Sequence, residues 1–107
     1  MSKATTLEER LEWYRNLAIQ KYLAPEVAAF PKRSDAELRD QLENLNLDIG
    51  DDESILRQYS TKGRLSKRDI DFVEGVNQGK IRRGLIAHAI EQELMRRSAP
   101  LEVTGDG

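Results

Sequence analysis

Apolar residues recur along this chain at spacings of three and four, the signature of amphipathic helices. Leu7, Leu11, Tyr14 and Ala18 form the first stripe, widened by Leu17, and predict a helix over about 7–22. Pro25 biases Ala24 away from the helical region and suits the first position of a new helix. A short second element, with Val27 and Phe30 facing inward, is therefore expected to close at Pro31. Leu38, Leu42 and Leu45 mark the next helix, and Gly50 with Asp51-Asp52 reads as a turn and a fresh N-cap. Ile55, Leu56 and Tyr59 follow in a shorter helix expected to stop at a left-handed Gly63. Ile70, Val73 and Val76 then run up to a break at Asn77-Gln78-Gly79. The last stripe is the broadest: Ile81, Leu85, Ile86, Ala89, Ile90 and Leu94, over about 80–97. The best alternating stretch, Leu45 to Ile49, is too short to argue for a sheet.

Helix starts are written into the chain with unusual regularity. Thr6 with Glu9, Ser34 with Glu37, and Ser66 with Asp69 each place a hydroxyl three residues before a carboxylate. The hydroxyl accepts from the N3 amide while the carboxylate accepts from the N-cap amide, which satisfies two orphan donors. Asp is shorter than Glu, so the third instance is expected to be a partial box. Leu65 and Ile70 flank it in hydrophobic-staple positions. The fold class that results is all-α, a compact bundle of five to six short helices with the longest at the C-terminus. The domain is expected over residues 6–97, with a disordered N-terminus over 1–5 and a flexible tail over 98–107.

Composition adjusts this picture in three ways. A length of 107 residues and 38% hydrophobic content suit one domain with a modest core. No apolar run approaches the roughly 20 residues of a membrane span. The absence of cysteine removes disulfides and thiolate metal sites. With no secretory-type apolar segment near Met1, a cytoplasmic location is expected.

Charge is polarised beneath a net −2. Residues 35–53 hold eight acids against Arg39, a net −7, and residues 57–83 hold eight bases against three acids, a net +5. The two blocks either neutralise each other within the chain or leave the bases, Arg57, Lys62, Arg64, Lys67, Arg68, Lys80, Arg82 and Arg83, as a surface for a partner.

Catalytic chemistry finds little purchase. The one histidine, His88, borders the apolar stripe of the last helix, and no serine sits in a nucleophile elbow. Asp48-Ile-Gly-Asp-Asp-Glu53 is acidic but lacks the ligand spacing of a calcium loop. No catalytic residue, metal ligand or cofactor is therefore assigned. The stretch from Asn77 to Gly84 puts Lys80, Arg82 and Arg83 at an expected helix start, where the macrodipole disfavours cations and an anion would relieve the conflict. Residues 66–97 would then resemble a helix–turn–helix layout. Trp13 and Tyr14, pointing about 100° apart on the first helix, are candidate interface residues.

These readings converge on a small non-enzymatic regulatory or adaptor protein. It would bind another protein through the basic 57–83 surface, with a homodimer through the last helix as an accompanying expectation. The alternative is a DNA- or RNA-binding regulator using residues 66–97.

Overall fold

The computed structural model describes residues 6–98, and the termini expected to be disordered or flexible lie outside that range apart from Ser98, the last residue of a helix. Every regular element within it is helical: α1 (Leu7–Ala18), a π turn (Ile19–Leu23), α2 (Ala24–Ala29), a 3₁₀ turn (Phe30–Lys32), α3 (Asp35–Ser60) and α4 (Lys67–Ser98). The first four join end to end, so the described chain has three helical arms, fewer and longer than the five to six short helices expected. α3 and α4 form an antiparallel hairpin, and the first arm packs on α4. The molecule is elongated, 59 × 35 × 25 Å.

Three expected breaks are absent, each for a physical reason. Pro25 lacks an N–H, and its ring would clash with the carbonyl four residues back in a regular helix. The π turn directly before Ala24 absorbs this, with the Ala24 amide donating to Ile19 O. Gly50-Asp51-Asp52 lies inside α3 because Asp52 does not turn back to cap; its carboxylate crosses to Arg83 on α4. Asn77-Gln78-Gly79 lies inside α4, where Gly79 is buried beneath that same Arg83. No described glycine has positive φ, so Gly63 is not the left-handed stop expected. Instead Ser60 Oγ and Thr61 Oγ1 donate to the carbonyls of Arg57 and Gln58 at 2.8 and 2.9 Å, satisfying the last turn of α3.

All three helix starts are reciprocal capping boxes. Ser66 and Asp69 exchange both bonds at 3.1 Å, so the shorter Asp completes the box that was expected to be partial. The staple partner Ile70 remains 46% exposed.

The core sits at the open end of the hairpin. Phe30, Leu38, Ile86 and Ile90 are buried together, with Leu23, Leu42, Leu45, Ala89 and Leu94 packed around them. Leu38 and Ile90 are fully covered, each contributing about 1.5–3 kcal/mol by burial. Arg97 fastens this end by donating to Phe30 O, Arg33 O, Asp35 and Glu93. Toward the hairpin turn the contacts change character: Asp52 meets Arg83, and Tyr59 packs on Phe72 with ring centroids 5.3 Å apart and planes tilted by 40°. The first arm is held to α4 by a bidentate Arg10–Glu74 pair at 3.0 and 3.1 Å.

Candidate interaction site

The eight cations expected to form one basic surface divide into two groups. Along the shaft of α4, Lys80 and Arg83 turn to α3 and meet the acidic block. Arg83 Nε donates to Asp52 Oδ2 at 3.0 Å, and its Nη2 donates to both carboxylate oxygens at 2.8 and 2.7 Å. The Asp52 side chain is 10% exposed and that of Arg83 25%. Lys80 Nζ lies 3.4 Å from Glu53. Arg82 turns to the first arm instead: its guanidinium lies over the Tyr22 ring, 5.2 Å from the centroid, and donates to Tyr14 Oη at 3.3 Å. The acidic and basic segments thus neutralise each other in part within one chain.

Gly79 leaves room for the Arg83 guanidinium beside Asp52. A Cβ there would stand 2.7 Å from Arg83 Nη2, nearer than any tolerated contact. The missing methyl is the space the guanidinium occupies. Because α4 runs unbroken from Lys67 to Ser98, the expected helix–turn–helix over 66–97 is not formed. Lys80, Arg82 and Arg83 stand mid-helix, not at a helix start facing a groove.

The second group surrounds the turn between α3 and α4. Residues 54–68 contain Arg57, Lys62, Arg64, Lys67 and Arg68 and no acid. Arg57, Arg64, Lys67 and Arg68 are exposed and have no carboxylate partner among the described residues. Lys62 pairs at 3.3 Å with Asp69, which also caps α4, and its ammonium lies 4.9 Å from the Tyr59 ring centroid. The Ser66 backbone amide, assisted by Lys62, holds the Asp69 carboxyl below its ordinary pKa. Lys67 and Arg68 occupy the first turn of α4, where the dipole already favours an anion. Ile70 and Phe72, each 46% exposed, supply apolar surface on the following turn.

The aromatic pair separates as its helical spacing required. Trp13 is 65% exposed, whereas Tyr14 is buried and its hydroxyl accepts from Arg82 on α4. His88 is exposed and borders an open hollow between α1 and α4. Among the described residues, no three His, Cys, Asp or Glu side chains gather as a metal site, and no helix is long and apolar enough to cross a membrane. The interhelical pair Asp52–Arg83 was missed by sequence reasoning. Its signal was present: two glycine-marked breaks, each beside an unmatched charge of opposite sign. Compared with protein-family models, curated proteins and solved structures, the chain finds no match in any of the three.

Proposed function

We propose that this chain is a non-enzymatic regulatory or adaptor protein that binds an acidic segment of another protein through the tip of the α3–α4 hairpin. The observation carrying this reading is the set of four cations, Arg57, Arg64, Lys67 and Arg68, that remain exposed and without a carboxylate partner among the described residues after the rest of the basic block is used internally. The surface is smaller than the 57–83 block and excludes Lys80 and Arg83. Exposed Ile70 and Phe72 beside it favour a protein partner, since apolar contact adds to charge pairing there. Trp13 lies on the first arm and is a separate element of the surface.

Nucleic-acid contact is the second reading, favoured by the lack of any acid over residues 54–68 and by the α4 N-terminus among them. It would act through the tip and not through a recognition helix. One experiment separates the two. The wild-type chain and a variant with Arg57, Arg64, Lys67 and Arg68 changed to Gln are used in pull-downs from lysate, with and without nuclease, and in gel shifts on mixed-sequence DNA and RNA at 50 mM salt. A nuclease-resistant protein partner lost with the variant supports the adaptor reading. Gel shifts lost with the variant support the second. Partner binding unaffected by the four changes refutes both.

A further inference from the structure

The hollow between α1 and α4 has the form of a socket. Leu11, Ile81, Gly84 and Leu85 make its floor, its volume is about 480 Å3, and a Cβ placed on Gly84 would meet nothing within 4 Å. Ile81 and Leu85 belong to the apolar stripe of the longest helix, yet they stay only half-buried because the first arm does not close over them. The rim carries Arg15, Asn77, His88 and the stem of Lys80, whose ammonium reaches across to Glu53 on α3, and no acid. An apolar floor under a rim that holds the exposed Arg15 and no carboxylate calls for an apolar side chain flanked by carboxylates.

The outward face of α3 offers that pattern. Leu47 is 63% exposed, and Asp40, Glu43 and Asp51 share its stripe at offsets of −7, −4 and +4, which place them on one face of a helix. All three carboxylates are exposed and none has an ion-pair partner among the described residues. We infer that this chain self-associates by seating Leu47 of one copy in the Leu11–Ile81–Gly84–Leu85 socket of another, with Asp40, Glu43 and Asp51 facing Arg15 and His88. A side chain entering a hole framed by four residues is the packing that joins helices in coiled coils. Socket-to-socket pairing of two α4 helices is disfavoured, because like-charged rims would face each other. Face-to-face pairing of two α3 helices juxtaposes carboxylates and is disfavoured in the same way. The contact uses α4, as the expected homodimer did, but its other half is α3. It does not involve the basic tip.

The test uses the full chain in sedimentation velocity from about 1 to 500 µM at 50 and 500 mM salt, with two variants. Leu47→Glu alters an exposed position, and Gly84→Leu fills the socket from open space, so both are expected to keep wild-type circular dichroism. The wild type should gain mass with concentration and lose it at high salt. Each variant alone should associate about tenfold more weakly or not at all, since losing a buried central contact costs at least 1.4 kcal/mol. Mixing the two variants should restore a dimer through the one intact socket and the one intact Leu47. A wild type that stays monomeric throughout overturns the inference, and the socket would then serve a foreign segment or none. Loss by only one variant overturns it too, in favour of socket-to-socket or face-to-face packing, as does a mixture that restores nothing.

Discussion

Substituting Gly79 by Ala should destabilise the wild-type protein and stabilise one that lacks the Arg83 guanidinium. Gly in a helix interior costs about 1 kcal/mol relative to Ala, so the change is favourable wherever the added methyl has room. Here it has none, since Arg83 Nη2 lies 2.7 Å from the methyl position. A long side chain normally moves aside at little cost, but this one is held to Asp52 by three hydrogen bonds of 2.7–3.0 Å. Moving it leaves a carboxylate only 10% exposed without its partner. Breaking a fully buried pair costs about 3–5 kcal/mol, and the 25% exposure of Arg83 reduces this to roughly 2–3 because water reaches the guanidinium. The net change for Gly79→Ala is then a loss of about 1–2 kcal/mol. In an Arg83→Ala background the clash is gone, and the same substitution should add about 1 kcal/mol. Urea unfolding followed by circular dichroism measures all four corners of this cycle, with m-values unchanged if only stability moves. Gly79→Ala stabilising both backgrounds equally would refute the argument that α4 passes through Gly79 to make room for the pair.

Two further outcomes follow from the placement of the core and the caps. Leu38→Ala empties a fully covered position between Phe30, Ile86 and Ile90, and should cost about 2–5 kcal/mol in the same assay. Acidification should weaken the fold in a defined direction. Arg33 lowers the pKa of Glu26, the Ser66 amide lowers that of Asp69, and Arg96 with Arg97 lowers that of Glu93. Carboxylates depressed in the folded state stabilise it fully above their unfolded pKa, near 4–4.5, and lose that contribution as pH falls through the folded values. The urea midpoint should therefore hold down to about pH 4.5 and decline below it, whereas a midpoint rising on acidification would contradict the pairings.

Local signals were legible in the sequence and global ones were not. The three capping boxes located helix starts at Leu7, Asp35 and Lys67 to the residue, because a box is satisfied within four residues. The helix ends were obscured because Gly50, Gly79 and Pro25 resemble terminators, and what overrode them lies elsewhere in the chain or in a change of helix type. Asp52 and Arg83 are 31 residues apart in sequence, so the cost of a mid-helix glycine at 79 is offset by a contact that periodicity does not encode. The π turn before Pro25 likewise has no composition of its own. Sequence named all eight cations, but charge counting gave them equal weight. Only the hairpin geometry separates Lys80 and Arg83, paired with Glu53 and Asp52 respectively, from the four left open at the tip.

The measurement that bears most directly on this division is the salt dependence of binding to a simple polyanion, read by isothermal titration with poly-L-glutamate. Two variants are compared with the wild type: Arg57, Arg64, Lys67 and Arg68 changed to Gln, and Lys80 with Arg82 changed to Gln. Binding driven by free cations weakens in proportion to the number of charges engaged. The tip variant should lose most of the affinity and of the salt slope, while the shaft variant keeps both. A tip variant that binds as well as the wild type, with the loss falling on Lys80 and Arg82, would contradict the assignment of the open cations to the hairpin tip.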